Sequence, residues 1–128
     1  MVDDPLRKKS QMTDVTAKLS LPVMMPAQAQ KHVTHNEALE LLDLIVQLTL
    51  ESDQAAIAPP SPQEGQSWGI GVGATGVWAG RDGMIASWRG GGWLFVNPAE
   101  GWTAWCKSDL TLKVYSGGSW QPLAALAP

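Results

Sequence analysis

The sequence predicts an α+β protein in which an extended N-terminal arm and one apolar helix precede a small, Trp- and Gly-rich antiparallel β-domain. Three observations lead to this fold class. One segment of the 128-residue chain has helical periodicity, all seven tryptophans lie between residues 68 and 120, and Gly-rich turns recur in that same region. The length fits one domain, or a small domain with an added segment.

Residues 1–33 are predicted to form an extended arm. Pro5, Pro22 and Pro26 interrupt any continuous helix there, because proline lacks the amide hydrogen and clashes with the preceding turn. The stretch of residues 19–25 is nevertheless apolar. An apolar extended segment is stable only against another surface, so we expect the arm to lie on its own domain or on a neighbouring chain.

Residues 34–51 have the clearest helical pattern. Thr34 and Glu37 form a T-x-x-E capping box, in which the hydroxyl takes a free helical amide and the glutamate reaches back to the cap amide. Beyond the cap, polar residues recur three or four positions apart and predict one narrow polar stripe. The stripe consists of Glu40, Asp43, Gln47 and Glu51, and the rest of the helix surface is covered by Ala38, Leu39, Leu41, Leu42, Ile45, Val46, Leu48 and Leu50.

The apolar surface of this helix spans about 200°, twice the minimum width of a one-sided amphipathic face. Such a helix is buried on two sides, and in a chain of this size the second side is predicted to be another copy of the same helix. We therefore expect the helix to oligomerise and to anchor the protein. The alternative is a central helix that its own sheet surrounds. The predicted interface consists of Leu41, Leu42, Ile45, Val46 and Leu48.

Residues 52–65 are predicted to be a Pro-rich connector, because the run Ala58-Pro59-Pro60-Ser61-Pro62 favours a stiff, extended chain. Residues 66–128 follow as the antiparallel β-domain. Its predicted strands are residues 66–72, 76–79, 84–88, 93–97, 102–106, 110–115 and 119–123.

Two segments of the β-domain repeat one pattern at an offset of 27 residues. Both have the form aromatic-x-Gly-Gly-x-Trp. Each predicts a β-hairpin with aromatic residues near the ends of both strands. The segments are Trp88-Arg89-Gly90-Gly91-Gly92-Trp93 and Tyr115-Ser116-Gly117-Gly118-Ser119-Trp120.

The charge pattern argues against several classes of partner. The net charge is −3 and the pI about 5.2, whereas a nucleic-acid-binding domain is usually basic. Residues 34–65 hold six acids and no lysine or arginine, which predicts contacts between segments or chains, or a solvated acidic face. No apolar run reaches the roughly 18 residues that a membrane span requires. The single cysteine, Cys106, excludes an intrachain disulfide framework.

Motifs for catalysis or cofactor binding are weak in this sequence. Residues 71–76 read G-x-G-x-x-G, but a dinucleotide site needs a helix directly after the glycines, and a turn-rich segment follows. His32 and His35 have ligand-like spacing without a matching carboxylate, so hydrogen bonding at the helix start or interface packing is favoured. We therefore expect no enzyme activity, no cofactor and no metal. Turn formation explains the acids of the β-domain, which are Asp82, Glu100 and Asp109.

The tryptophans admit two interpretations. As core residues they bury large apolar areas, which suits a small sheet with one phenylalanine and one tyrosine. As binding residues, exposed indoles stack on sugar rings, which predicts a carbohydrate-binding module for host capsule or cell-wall glycans. We expect most tryptophans in the core and one or two exposed. The candidate glycan contacts are Trp88, Trp93, Trp102 and Trp120.

Three blocks of the chain resemble the DUF2793 family. They are LPVMMPAQAQKHVTHNEAL at residues 21–39, GATGVWAGRDGMIASW at residues 73–88, and the Gly-Trp pair at residues 101–102. Residues 1–19 lie outside the pattern, and Trp68 stands where tyrosine is common. The A-x-A sequence at residues 27–29 has the form of a signal-cleavage site, but it belongs to the first block and is expected to be retained.

The family occurs in alphaproteobacterial prophages and gene transfer agents. The resemblance therefore implies a non-enzymatic structural component of a tailed-phage-like particle, most specifically a head spike base or adaptor, or a fibre component. The implied partners are further copies of the chain, capsid or tail proteins, a fibre protein and host surface polysaccharide. Neither nucleic acid nor a membrane is expected. The implied location is a virion-like particle assembled in the bacterial cytoplasm.

Overall fold

The computed structural model describes residues 15–24 and 31–126. In these ranges the chain forms one α-helix and seven short β-strands, which confirms the predicted α+β class. The chain divides into two compact units, residues 1–46 and residues 47–128. The helix belongs to the first unit and all seven strands belong to the second.

The described part of the predicted arm, residues 15–24, is a turn and not an extended segment. Val15 and Pro22 form an antiparallel bridge, and Ser20 reverses the chain with a φ of +57°. Residues 31–33, also predicted as arm, belong to the helix. The remainder of the predicted arm lies outside the described residues.

The helix α1 spans Lys31–Ile45, whereas the sequence predicts residues 34–51. Thr34 therefore lies inside the helix and does not cap it. At the other end, Gln47 adopts a φ of +52°, the left-handed conformation in which helices commonly end. The predicted last turn and a half is thus not helical.

Strand β1, Thr49–Leu50, replaces the end of the predicted helix. It pairs in parallel with β5, Thr103–Cys106, and the amide of Trp105 donates to the carbonyl of Leu48 at 2.9 Å. Leu48 and Leu50 are both buried. Sheet hydrogen bonds and the burial of two leucines outweigh the local helical pattern, because helix propensity is a weak preference that tertiary contacts override.

The second unit contains two sheets among its described residues. The three-stranded sheet has the order β2-β3-β4 and the four-stranded sheet the order β1-β5-β6-β7. Every pair except β1–β5 is antiparallel. Each strand after β1 begins within one residue of a predicted strand, and all except β2, which ends at Gly69 and not at residue 72, also end within one residue of it. These strands are β2 Ser67–Gly69, β3 Ile85–Arg89, β4 Gly92–Val96, β5 Thr103–Cys106, β6 Thr111–Ser116 and β7 Ser119–Pro122.

One predicted strand, residues 76–79, is wrong. Gly76–Trp78 forms a short 3₁₀ turn instead, and Gly76 enters it with a φ of +66°. The side chain of Trp78 is fully buried, with its ring 6.1 Å from that of Trp68 and 5.2 Å from that of Trp93. The segment is therefore apolar because it places Trp78 in the core, and not because it forms a strand.

The predicted connector, residues 52–65, begins as part of the β-structure. The amide of Glu51 donates to the carbonyl of Ser67, and the amide of Gly69 donates to the carbonyl of Ser52, both at 2.7 Å. Ala55 then forms a parallel bridge with Ile70. The segment that follows β1 thus runs beside β2 and joins the two sheets.

The second unit is built from two β-meanders of one design. We call β2–β4 the first meander and β5–β7 the second meander. Each is preceded by the sequence Pro-x-Glu-Gly, at residues 62–65 and 98–101. In both, the glycine amide donates to the aromatic carbonyl before the hairpin, Gly65 to Trp88 and Gly101 to Tyr115, each at 2.8 Å.

Both predicted hairpins form, with two-residue turns. Gly90 and Gly91 have φ values of +62° and +80°, and Gly117 and Gly118 have values of +65° and +89°. Two successive positive φ angles are the type I′ geometry that matches strand twist. The flanking aromatics are paired across the strands: the Trp88 and Trp93 rings lie 5.0 Å apart, and the Tyr115 and Trp120 rings lie 5.2 Å apart.

The two meanders differ in burial. Ile85 and Ala86 are adjacent in β3 and therefore point to opposite faces, yet both are 0% exposed, so the first meander is covered on both sides. In β5 of the second meander, Ala104 and Cys106 are buried, whereas Thr103 and Trp105 are exposed. The second meander thus has one buried and one exposed face.

Candidate functional site

The outward face of α1 is apolar. Leu41, Leu42 and Val46 are 36%, 51% and 43% exposed, and Ile45 is half-buried. At 100° per residue, these four side chains and Ala38 fall within a sector of about 140°. Four of the five residues predicted as an interface therefore form one surface, which we call the helix face.

Leu48, the fifth predicted interface residue, does not belong to the helix face. It lies beyond the end of α1 and is 3% exposed. Its carbonyl accepts a hydrogen bond from the amide of Trp105, which places it beside β5. The sequence pattern did not separate it from the helix because leucine fits both environments.

Only Glu40 and Asp43 of the predicted polar stripe lie on α1, because Gln47 and Glu51 follow its end at Ile45. Asp43 is 0% exposed, and its carboxylate accepts hydrogen bonds from the Thr16 hydroxyl at 2.6 Å and from the amides of Lys18 and Leu19 at 2.9 and 2.5 Å. Glu40 is half-buried. The first unit therefore turns this acidic residue inward.

Asn36 makes a second link of the same kind. Its side-chain amide accepts from the Met24 amide at 2.8 Å and donates to the Met24 carbonyl at 2.9 Å. Polar side chains of α1 thus hold the chain segment before the helix, while leucine and valine face outward. A soluble monomer normally turns such apolar side chains towards its core.

The tryptophans fall into three groups, all within the described residues. Trp68 and Trp78 are buried, whereas Trp105 is 41% exposed. The four candidate glycan contacts are all half-buried: Trp88, Trp93, Trp102 and Trp120. Because Trp88, Trp93 and Trp120 also pack in aromatic pairs, the most accessible indole is one that the sequence did not single out.

Trp105 lines an open groove of about 320 Å³ on the exposed face of the second meander. Thr49 of β1 and Leu112 of β6 are its direct neighbours in register, so the three side chains share this face. Gln47 and Thr103 also line the groove, and none of its lining residues within the described part of the chain is charged. The alternation of Thr103-Ala104-Trp105-Cys106 is the sequence signal for this exposure, since the small residues point inward.

The G-x-G-x-x-G segment is occupied by a side chain of the same loop. The carboxylate of Asp82 accepts hydrogen bonds from the amides of Gly73 and Ala74 at 2.9 and 3.0 Å. These backbone bonds lower the pKa of Asp82 from its ordinary value. The amides that would meet a phosphate in a dinucleotide site are already bonded, and a three-residue 3₁₀ turn follows in place of a long helix.

Glu100 and Asp109 also have structural partners. Glu100 accepts from the hydroxyl of Ser116 at 2.7 Å and from the amide of Gly117 at 3.2 Å, and these bonds lower its pKa. Asp109 lies 2.8 Å from the ammonium group of Lys113, which lowers the pKa of this aspartate. Each acid therefore supports a turn or an ion pair.

A buried polar cluster surrounds Lys113. Its ammonium group lies 2.9 Å from Asp53, and their side chains are 9% and 5% exposed. Burial disfavours the charged form, but hydrogen bonds to Asp109 and Asp53 raise the pKa of Lys113 above its ordinary value. Cys106 donates from its sulfur to Asp53 at 3.6 Å, and burial raises the pKa of this thiol. The cluster ties three chain segments together.

The described residues also bear on metal and membrane sites. His35 is exposed, and the side chain of His32 lies outside the described residues. Within the described ranges there is no group of three His, Cys, Asp or Glu residues that could hold a metal ion. In the same ranges, no helix has the length and apolarity to cross a membrane.

Comparison with known proteins gives one match. A family model described as "Protein of unknown function (DUF2793)" matches residues 35–121. No curated protein and no solved structure gives a significant match. The matched region includes the outward residues of α1, both meanders and the groove at Trp105.

Proposed function

The chain belongs to the DUF2793 family, and from this premise we propose that it is a non-enzymatic structural component of a tailed-phage-like particle, such as a gene transfer agent or prophage. Its place in that particle would be a head spike base or adaptor, or a fibre component. The partners would be further copies of the chain, capsid or tail proteins and a fibre protein. The particle would be assembled in the bacterial cytoplasm.

The helix face is the observation that carries this proposal. Leu41, Leu42 and Val46 present apolar side chains to solvent on one side of α1. Fully burying a leucine or valine side chain stabilises a protein by about 1.5–3 kcal/mol. A chain that leaves three of them outward, while it buries Asp43, gains stability by association.

A second copy of the chain is the partner that suits this face. The same residues of two copies meet across a two-fold axis in the commonest kind of oligomer, which requires a self-complementary patch. The apolar side chains of this patch can meet their own copies across such an axis, because none of these side chains carries a charge. Ile45 and Leu42 lie nearest its centre among the larger side chains, and Leu42 is its most exposed member at 51%.

The bonding of the acids supports the non-enzymatic part of the proposal. A glycan-cleaving enzyme needs two carboxylates that face each other across a cleft. Asp82, Glu100 and Asp109 are each engaged with a turn amide, a hydroxyl or a lysine. These bonds use the carboxylates for structure.

The assembly function is tested by measuring the mass of the purified chain by native mass spectrometry and light scattering. We expect the wild type to run at a multiple of 13.7 kDa. Leu42→Glu places a charge in the helix face and should shift the chain to the monomer, with association weakened at least about tenfold. Leu110→Glu is the matched control, because Leu110 is 73% exposed and lies outside the helix.

A folded wild-type monomer at all concentrations, or equal assembly of Leu42→Glu and the wild type, would contradict the assembly function. Location in the particle needs a separate measurement. Immunogold labelling of purified particles with an antibody against this chain should mark one position, the head vertex or the tail tip. Particles that carry no label would contradict the particle function.

A carbohydrate-binding module is the second candidate function, and the exposed indole of Trp105 favours it. Flat exposed aromatic rings bind the apolar faces of sugars, and both functions are compatible because particle spikes contact host surfaces. Titration with host capsule or cell-wall polysaccharide should change the tryptophan fluorescence. Absence of any change would exclude this candidate without affecting the assembly function.

A further inference from the structure

The two meanders differ at one equivalent position, which holds glycine in the first meander and tryptophan in the second. The Pro-x-Glu-Gly sequences that precede the meanders lie 36 residues apart, at Pro62 and Pro98. The same offset places Trp105 of β5 at the position that Gly69 occupies in β2. Both positions lie on strands that pair with the segment after α1, Gly69 through Ser52 and Trp105 through Leu48.

In the first meander this position is glycine, and the segment after β1 lies close against it. A Cβ atom on Gly69 would lie 3.1 Å from the Cα of Asp53 and 3.4 Å from the indole nitrogen of Trp120. The first distance is tighter than ordinary van der Waals contact and involves backbone, which cannot yield cheaply. The close approach of the segment after β1 to β2 thus depends on the absence of a side chain at Gly69.

In the second meander the equivalent position carries the largest side chain. Trp105 is 41% exposed, and its neighbour Leu112 is 43% exposed. The second meander thus carries an exposed indole at the position where the first has no side chain. With 41% of its surface exposed, the Trp105 side chain does not fill the core.

The groove beside Trp105 has the chemistry of a sugar subsite. Its apolar wall is formed by Trp105 and Leu112, and polar groups that can donate and accept hydrogen bonds are supplied by Thr49, Thr103 and Gln47. The volume of about 320 Å³ is at the lower end of small-ligand sites. Because the lining carries no charge, an ionised ligand would lose solvation there without an opposite charge in return.

We propose that this groove binds an uncharged saccharide, with one sugar ring stacked on Trp105 and its hydroxyls bonded by Thr49 and Thr103. A pyranose ring fits because it presents C–H groups on its faces and hydroxyls around its edge. This inference rests on the second candidate function and gives that function a location and a ligand class. It does not depend on the assembly function.

The test is a titration of the full chain with neutral oligosaccharides, namely cellohexaose, maltohexaose and chitohexaose, and with the anionic polysaccharide alginate. Indole fluorescence and the indole N–H signals in NMR are the readouts. At least one neutral oligosaccharide should bind with a Kd in the millimolar range or below. Trp105→Ala should weaken that binding at least about tenfold, and Trp105→Phe should retain it within a few fold.

Val77→Ala is the matched control, because it removes an exposed apolar side chain from outside the groove and should leave the affinity unchanged. Thermal unfolding of each variant checks that the fold persists.

Binding that survives Trp105→Ala would overturn this inference alone. Binding of alginate in preference to the neutral sugars would overturn the ligand class. A response to none of these carbohydrates would overturn the inference. If Trp105→Ala changes the assembly mass without loss of sugar binding, the exposed face of the second meander binds a second copy of the chain instead.

Discussion

At the scale of single residues, the structure assigns roles to charges that the sequence left without partners. Lys113 is buried between Asp53, sixty residues before it in the chain, and Asp109, four residues before it. A buried ion pair gains little over an apolar pair, but the loss of one partner leaves the other charge unpaired in the interior. The stability of the second unit therefore depends on the presence of all three charged residues of this cluster.

Lys113→Met should consequently destabilise the second unit. We expect a loss of about 3–5 kcal/mol in the free energy of unfolding, because Asp53 would remain buried without its cation. Lys107→Met is the matched control: Lys107 pairs with Glu51 at 3.1 Å but is 52% exposed, and such surface pairs contribute about 0–1 kcal/mol. Urea denaturation followed by fluorescence measures both, and equal effects would show that the cluster is not what stabilises this region.

The lowered pKa values of three acids predict an acid limit to stability. The pKa of Asp82, Glu100 and Asp109 is lowered in the folded chain from 3.8, 4.5 and 3.8. Each contributes stability that is fully present above its ordinary pKa and is lost as the pH falls through the lower folded value. The denaturation midpoint should be constant from about pH 8 to about pH 5 and fall below about pH 4.

The double variant Asp82→Asn, Glu100→Gln tests this origin. It removes two of the three groups, so its midpoint should fall less steeply between about pH 5 and about pH 3 than that of the wild type. Parallel profiles for the two proteins would assign the acid limit to other carboxylates.

At the scale of elements, the hairpin turns show which glycines are required. Gly91 has a φ of +80° at the turn between β3 and β4, where a residue with a Cβ atom is strained. The next residue, Gly92, starts β4 in a conformation without positive φ, and a Cβ there would meet no heavy atom within 4 Å. Adjacent glycines therefore have different reasons to be present.

Gly91→Ala should destabilise the second unit by about 1–2 kcal/mol, because alanine must adopt the left-handed conformation. Gly92→Ala should change the free energy of unfolding by less than about 0.5 kcal/mol, or stabilise slightly through a less flexible unfolded chain. Thermal unfolding of the two variants provides the comparison. A larger loss for Gly92→Ala would contradict the turn assignment.

The meanders also show how far a sequence repeat can be recognised. The hairpin pattern was visible at an offset of 27 residues, but the Pro-x-Glu-Gly pattern recurs at an offset of 36. The difference arises in the connections between strands. Residues 70–84, which include the buried Trp78, join β2 to β3, whereas only residues 107–110 join β5 to β6. A change of offset inside one repeat concealed the full duplication.

At the scale of the whole molecule, the division at residue 46 separates two kinds of surface. The first unit carries the helix face, and the second carries the two meanders and the groove. The second unit has its own core of Trp68, Ile70, Trp78 and Ala86. It thus has the internal packing that an independent domain needs.

A fragment of residues 47–128 should therefore fold by itself and remain monomeric at concentrations where the full chain associates. The near-UV circular dichroism of its tryptophans should match that of the full chain, since all seven lie in this fragment. Light scattering measures its mass. An unfolded fragment would contradict the independence of the second unit, and association equal to that of the full chain would place the assembly surface within the meanders.

The strands were predictable because their signals are local. Glycine pairs that accept positive φ, together with β-branched and aromatic residues between them, define a hairpin within about ten residues. The ends of α1 were not predictable in the same way. Whether Leu48 and Leu50 continue a helix or enter a sheet depends on β5, more than fifty residues away, which no local pattern contains.

Surface exposure was harder to predict than secondary structure. Leu41 and Leu42 were expected at an interface and are indeed outward, but Asp43 was expected on a polar stripe and is buried by the turn at residues 16–19. Trp105 was not a candidate, whereas half-buried Trp120 was. The sequence places the tryptophans in the β-domain but does not show which indole is exposed. The packing of neighbouring residues decides which indole faces solvent.

The sequence by itself determined the α+β class, the positions of the six strands of the meanders, both hairpins and the family, because these depend on contacts or conformations of neighbouring residues. The tertiary structure alone decided three things: the inward side of α1, the pairing of β1 with β5, and the contrast between Gly69 and Trp105 at equivalent positions. The physical reason is the same for all three. The burial of a residue depends on which other residues pack against it in space. Two residues with the same local sequence pattern therefore differ in burial when only one of them is covered.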